Sequence, residues 1–470
     1  MDPAFFSCAT GGAAAEYDIL DGYGQSPNGI KNVTQKMTKH WDTWIVEDDF
    51  RRMASIGINT VRLPVGYWSA GPYFTHDSPF SAYADVYEYS WRFVARAINW
   101  AAKYDIGVIL DLHGAYGSQN GQAHSGLSDG NIEFFTPFNM NLTAELLKWF
   151  AHEVSDVTNI VGIQLLNEPQ NRDSLWPWYN ATMDAMRRVS TAASTVPLYF
   201  HDAFNLNRGA DFVAGRSDFV VQDHHSYYVY TASDTSQSAQ GHVSDIHGTV
   251  ADQLNKQSIK ARRNLIIGEW SCALAPSSLE QSDDPARDQT AFCGAQNTVY
   301  SNATAGWTFW SWKLSNCDNN AGWCFQGTID QFLKVPFNTW GLPDAVSSSL
   351  SSMTSDQQKT FANTVETSIK AIQLPDLPSV LQQQTSGLMG SSMVASQPLA
   401  VAHALAKDTP RIGKVVSSSP TGGSLAARAA SLVRASEPQS NTLSTSTRTL
   451  LSENTGYSDG FLSAKIFGKP

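Results

Sequence analysis

Two glutamates end apolar runs in distant parts of the chain. Glu168 follows Leu165-Leu166-Asn167 and precedes Pro169, and Glu269 follows Ile266-Ile267-Gly268 and precedes Trp270. Such runs read as buried strands that deliver a carboxylate to the sheet edge, and Pro169 cannot donate to a ladder, so pairing stops there. Two carboxylates at one rim can cleave a glycosidic bond. At about 5–5.5 Å one attacks the anomeric carbon while the other protonates the leaving oxygen, with retention; at about 6.5–9.5 Å a water fits between them and the outcome is inversion. Either glutamate alone reads equally as a strand-end carboxylate capping the next helix. Their pairing in like contexts points to catalysis.

Other strand ends carry matching chemistry. Arg62, in Thr60-Val61-Arg62-Leu63-Pro64, needs a carboxylate partner if it lies inside a sheet, and Glu269 is the natural one; the pair should lower the pKa of Glu269. His113 ends Asp111-Leu112-His113-Gly114, where Gly114 permits a tight turn; it reads as a structural histidine when alone and as a holder of substrate hydroxyls within this set. In Asp223-His224-His225-Ser226-Tyr227 the adjacent histidines face opposite sides of a strand and no further ligand cluster accompanies them, so a metal site is not expected. Tyr227 is placed to hydrogen-bond Glu269. Trp310 or Trp312 is placed to floor a sugar pocket, although with Trp307 they read equally as core.

These residues need a scaffold that brings many strand ends to one face. From residue 48 to about 312 short apolar runs alternate with segments of helical period. The strands expected are Ile58 to Leu63, Gly107 to Leu112, Ile160 to Leu166, Pro197 to His201, Phe219 to Asp223, Leu265 to Gly268 and Gly306 to Phe309. Between them, Tyr87 to Tyr104, Asn141 to Val154, Trp178 to Ala193 and Ser244 to Arg262 are long enough for crossover helices. No GxGxxG turn follows the early strands and the chemistry is spread over several strand ends, which favours an α/β fold of the (β/α)8 TIM barrel type over an open doubly wound sheet. Residues 1 to 40 show no clear strand, so the first barrel strand is expected to be missing or truncated. After about Leu342 the chain turns Ser- and Ala-rich: residues 1–342 are expected to form the barrel domain and 343–470 a disordered tail, with a weakly helical patch over Asp356 to Ile372.

Composition narrows the partners. Forty-three acidic against 32 basic residues give a net charge of −11, which repels polyanions and excludes a nucleic-acid footprint. No run of 18 apolar residues and no basic segment followed by an apolar run at the N-terminus is visible, so neither a membrane span nor a signal peptide is expected in these residues. The five cysteines form no CxxC; Cys317 with Cys324, and Cys272 with Cys293, are spaced for two bridges with Cys8 left over, free thiols being the alternative. Sequons at Asn32, Asn141, Asn180 and Asn302 fit an extracellular route.

The chain resembles glycoside hydrolase family 5, and within it the fungal and oomycete exo-β-1,3-glucanases. The stretches that carry the likeness are His40-Trp41-Asp42-Thr43-Trp44-Ile45, Val61 to Trp68, Asp111-Leu112-His113-Gly114-Ala115, Gly117-Ser118-Gln119-Asn120-Gly121, Asn167-Glu168-Pro169 and Gly306 to Lys313, within a match from about residue 16 to 340. The resemblance implies a retaining, cofactor-free and metal-free barrel enzyme with Glu168 as acid/base, Glu269 as nucleophile, and Arg62, His113, Asn167, His225, Tyr227 and Trp310 around the sugar. It also implies glucose release from the non-reducing ends of β-1,3-glucan, outside the cell or in the wall; a monomer is expected, although the sequence itself does not give the oligomeric state. Three departures stand out. The family's first strand has no counterpart, which suggests a truncated start that also removed a signal peptide; yeast relatives place a Phe where this chain has Gln122; and the Ser-rich tail has no recognised equivalent. Paired glutamates do not read a linkage, so an endo-acting β-1,4-glucanase or mannanase of the same family stays open. So does a β-glucan-binding protein that no longer turns over.

Overall fold

The computed structural model describes residues 5–280 and 282–337. Six parallel strands form one sheet in strict sequence order: β1 (Thr60–Gly66), β2 (Gly107–Gly114), β3 (Ile160–Gln164), β4 (Leu198–His201), β5 (Val220–Ser226) and β6 (Leu265–Trp270). Consecutive parallel neighbours require a crossover after every strand, and the helices Trp91–Lys103, Pro137–Val154, Leu175–Arg187 and Leu206–Gly215 supply the early ones. The sheet curls as a TIM barrel does.

The seventh expected strand, Gly306 to Phe309, is reduced to a single parallel bridge between Ile267 and Trp307. Its backbone nevertheless follows β6: Ile267 N–H donates to Gly306 O (3.1 Å), Thr308 N–H to Ile267 O (2.9 Å) and Trp310 N–H to Trp270 O (2.9 Å). No strand precedes β1 among the described residues. The helices Glu16–Tyr23 and Pro27–Thr43 occupy that part of the chain, the second started by Ser26, whose Oγ accepts from Gly29 N–H, and by Pro27 in the first turn. With no neighbour on its outer side, β1 stays partly exposed up to Pro64, whereas β5 and β6 are buried along their whole length. A proline inside a strand is tolerated where no partner needs its missing N–H. The boundary at Leu342, the 343–470 tail and the patch over Asp356 to Ile372 lie outside the described residues.

Two apolar cores result. The larger packs the outer strand faces against the helices; there Trp270 and Tyr300 are fully buried with ring centroids 5.5 Å apart. The smaller is the floor of the barrel interior, where Ile109, Val221 and Ile266 meet Val161 and Tyr199. Because side chains alternate along a strand, the interior residues above Ile109 are Asp111 and His113, and those above Val221 are Asp223 and His225. The barrel thus runs from an apolar floor to a polar mouth. Cys272 is joined to Cys293 and Cys317 to Cys324, while Cys8 is free and exposed.

Candidate active site

A register shift between His224 and His225 opposite β6 sets the key side chain: His224 faces Ile267 but His225 faces Glu269, so Gly268 is skipped. The bulge returns Glu269 to the interior, on the same side as Ile266. Gly268 is needed there, since a Cβ would sit 2.0 Å from an Asp223 carboxylate oxygen. Glu168, four residues beyond the end of β3, takes a left-handed backbone with φ 41°. That conformation costs a non-glycine residue free energy, and its neighbours hold it. Asn120 Nδ2 donates to the Glu168 carbonyl (3.0 Å), and Gln119 Nε2 donates to the carbonyls of Asn167 (2.9 Å) and His113 (2.8 Å). The Gly117-Ser118-Gln119-Asn120-Gly121 stretch is a clamp on this turn.

The eight residues singled out from the sequence come together. Arg62 donates from Nη1 to Glu269 Oε1 (2.9 Å), from Nη2 to Asn167 Oδ1 (2.7 Å) and from Nε to Gln164 Oε1 (2.7 Å), with Asp111 Oδ2 2.9 Å from Nη2. The Tyr227 hydroxyl donates to Glu269 Oε2 (2.8 Å). His225 Nδ1 lies 2.6 Å from Glu168 Oε1 and 3.5 Å from Glu269 Oε2, and its Nε2 lies 3.1 Å from Asp223 Oδ2. Since both glutamates approach one nitrogen, their nearest oxygens are separated by no more than the sum of those two distances. His113 is held by Asp111 (2.8 Å) and stacks on Trp310, with centroids 5.4 Å apart and planes 1° from parallel.

Five partners carried no role in the sequence reading. Asp111 and Asp223 lie on the same strand face as residues that did, His113 and His225, so period-two alternation marked them, whereas Gln164 ends β3, where no residue had been assigned a role. His124 Nδ1 meets His113 Nε2 at 3.2 Å, and His201 presents its ring to His225 with centroids 4.3 Å apart. Nothing in the sequence distinguished these two. His224, as its parity requires, points away from the site and meets Asp202 (2.8 Å).

Burial and charge oppose each other throughout. Burial penalises charge on His225, but Glu269 and Asp223 outweigh it and hold the ring well above its ordinary value. Burial would raise Glu168, but the hydrogen bond and charge of His225 hold it low. The two lie 2.6 Å apart, so an ionised Glu168 beside a charged His225 and a protonated Glu168 beside a neutral His225 differ only in the position of one proton. Asp223 is drawn down to about 2, since His225 and Arg62 outweigh its burial. For Glu269 the expectation needs correcting: desolvation is the largest influence and the net shift is upward, although Arg62 pulls downward as anticipated and His225 does so too. Burial, with the charge of neighbouring histidines, lowers His124 and His201 to about 4 and keeps both neutral.

Glu168, His201 and His225 offer ligand atoms within 4.8 Å of one another, the geometry of a candidate cation site. The donors are ill suited to one. Both His225 nitrogens face carboxylates, and His201 Nδ1 accepts the Ala203 N–H (3.1 Å), which puts its own proton on Nε2. No helix among the described residues is long and apolar enough to cross a membrane.

Comparison with known proteins bears on the family and the fold. The family model described as cellulase (glycosyl hydrolase family 5) matches residues 21–316. A glucan 1,3-beta-glucosidase 3 of Schizosaccharomyces pombe is 29% identical over 333 residues, covering 70% of this chain and 69% of the relative. A glucan 1,3-beta-glucosidase of Schwanniomyces occidentalis is 30% identical over 333 residues, covering 63% and 74%. Among solved structures, rutinosidase from Aspergillus niger superposes with a TM-score of 0.56 at 18% identity, covering 70% of this chain and 92% of that one, a likeness of fold.

Proposed function

The chain belongs to glycosyl hydrolase family 5, and from that membership we propose that it releases glucose from the non-reducing ends of β-1,3-glucan with retention. The observation that carries the mechanism is the approach of Glu168 and Glu269 to the single nitrogen His225 Nδ1, at 2.6 and 3.5 Å. That closeness favours the separation of about 5–5.5 Å used in double displacement over the wider inverting spacing. The β-1,3 linkage and exo action rest on the relatives named glucan 1,3-beta-glucosidase.

In this reading Glu269, ionised and oriented by Arg62 and Tyr227, attacks the anomeric carbon as the bond to the leaving oxygen breaks. The Glu168–His225 pair supplies the proton to that oxygen through Glu168. In the second half Glu168 takes a proton from water, whose oxygen attacks the anomeric carbon and releases Glu269. Trp310, braced by His113, floors the sugar, and Asn167 and His113 hold its hydroxyls. Residues 1–342 act as the catalytic unit and the Ser- and Ala-rich remainder as a separate tail. The protein works outside the cell or in the wall; the sequon residues Asn32, Asn141, Asn180 and Asn302 are all exposed.

The test is product analysis. Laminarin should yield glucose alone, first seen as the β-anomer by proton NMR, with no oligosaccharides released from carboxymethylcellulose. An α-anomer would establish inversion, and oligosaccharides from carboxymethylcellulose would move the enzyme to endo-β-1,4 action.

The pH profile follows from the opposing shifts. Glu269 must be ionised, and burial raises it, so activity is lost as pH falls through a value above the ordinary 4.5. The Glu168–His225 pair must hold one proton, so activity is lost as pH rises through a value above the ordinary 6.5 of histidine. A bell in kcat/KM on laminarin, with limbs above those two values, is expected. An alkaline limb in the ordinary carboxylate range would remove the shared-proton assignment.

A further inference from the structure

The reaction described above leaves a buried titratable group beside Glu168 without a task. His201 ends β4 and lies above Tyr199 of the barrel floor, so period-two alternation turns it into the interior, where it is fully buried. Its ring meets that of His225 edge to face, with centroids 4.3 Å apart and planes 68° apart, and Phe204 packs against it at 4.7 Å. One nitrogen of His201, one of His225 and a carboxylate oxygen of Glu168 lie within 4.8 Å of one another.

The backbone after β4 is bent so that it holds this ring. Ala203 and Phe204 are consecutive non-glycine residues with left-handed backbones, φ 51° and 58°, a conformation that costs free energy at each. The turn is closed by Asn205 N–H donating to Asp202 O (3.0 Å) and tied to β5 by Asp202 N–H donating to Asp223 O (3.0 Å). It delivers the Ala203 N–H to His201 Nδ1 (3.1 Å), so the ring's own proton sits on Nε2. That Nε2–H is buried and has no hydrogen-bond partner among the described residues. Burial and the charge of His225 lower the ring to about 4, so at neutral pH it is a dipole and not a second cation. Backbone strain and an unsatisfied donor, each of them unfavourable, thus fall on one side chain, and that side chain stands against the pair that hands over the catalytic proton.

We propose that His201 is a positioning residue for the acid/base step: its N–H dipole, fixed in direction by the Ala203 turn, favours the ionised form of Glu168 and so sets how readily the Glu168–His225 pair releases its proton. The proposal rests on the hydrolase reading above and adds to it the group that tunes the acid. A donor beside a carboxylate stabilises the charged form. Glu168 becomes a stronger acid toward the leaving oxygen, without the full charge that would hold it ionised throughout the cycle. The other titratable groups facing the pair are each engaged elsewhere as well: Asp223 with Gln164, Glu269 with Arg62 and Tyr227, and His124 with His113. Asp202 turns its carboxylate to Gln222 and His224.

Matched variants isolate the N–H. His201→Gln keeps a side-chain N–H, whereas His201→Met has nearly the same shape without one. Losing the donor disfavours the deprotonated pair, so the pair keeps its proton to higher pH. In His201→Met the alkaline limb of kcat/KM on laminaritriose should move up by about half to one pH unit, the weight of one hydrogen bond. The acid limb, which belongs to Glu269, should stay in place. The ratio of kcat/KM for laminaritriose to that for 2,4-dinitrophenyl β-glucoside, whose leaving group departs without a proton, should fall about threefold to tenfold. His201→Gln should lie near the unaltered protein in both measurements. An alkaline limb that stays or moves down in His201→Met overturns the proposal, and so does a Gln variant no better than Met. A parallel fall on both substrates overturns it too, as the mark of a ring that only fills space. If the unaltered protein turns over neither substrate, the hydrolase reading itself is lost, a result distinct from all of these.

Discussion

Glu269→Ala is expected to lower turnover of laminarin by roughly 10⁴–10⁶-fold, to the level of the uncatalysed background, because no other group in the site replaces the attacking carboxylate. The substitution removes an acceptor from Arg62 and Tyr227. Arg62 keeps Asp111, Gln164 and Asn167, so its charge stays compensated and the fold should survive, which unfolding by denaturant would check. The role is then identified by rescue. With an activated aryl β-glucoside, azide entering the space left by the carboxylate should restore turnover and give the α-glucosyl azide, the product of a single displacement. Residual laminarin turnover within tenfold of the unaltered protein, or a β-azide as product, would remove Glu269 as nucleophile.

How far the sequence revealed this site depends on which physical rule placed each residue. Strand ends were legible because apolar runs stop near the barrel mouth, and Glu168, Glu269, His113 and His225 follow that rule; Arg62 does not, since β1 runs on to Gly66, past the expected end at Leu63, and holds it inside the strand. β5 runs on to Ser226, past the expected end at Asp223, because its polar residues are paired inside the barrel and need not leave it. The bulge at Gly268 was hidden: it is fixed by the register between β5 and β6, which no local pattern records. The Gly306 to Phe309 strand was overdrawn. Its hydrogen bonds to β6 are present, but they make only the one bridge between Ile267 and Trp307, and no strand lies beside it on the other edge among the described residues. Asp111 and Asp223 were visible by parity, but their task, like that of Gln164, is to satisfy Arg62 and His225, and that need appears only when the strands are assembled. His124 and His201 come from parts of the chain whose patterns say only loop and strand end.

The same buried network makes Arg62 the residue whose loss should damage stability and catalysis together. Its side chain is 3% exposed and touches two carboxylates. Replacing it with Met keeps the apolar stem and deletes the charge, leaving Asp111 and Glu269 without their cation in a low-dielectric interior. Breaking a buried pair in this way costs about 3–5 kcal/mol, so Arg62→Met should show that loss in denaturant unfolding. The sign of the catalytic effect follows from the same electrostatics. Burial already raises Glu269, and Arg62 is one of the three groups that restrain it, with His225 and His113. Without the guanidinium Glu269 rises further, takes up its proton at higher pH, and the acid limb of kcat/KM moves toward neutrality. Arg62→Lys restores the charge but not the fork: one ammonium cannot reach Gln164, Asn167 and Glu269 with the fixed geometry of a guanidinium, so stability should recover more than activity. An acid limb that stays put in Arg62→Met would mean that Arg62 does not set the ionisation of Glu269, and the guanidinium would then be a structural tie among the strands alone.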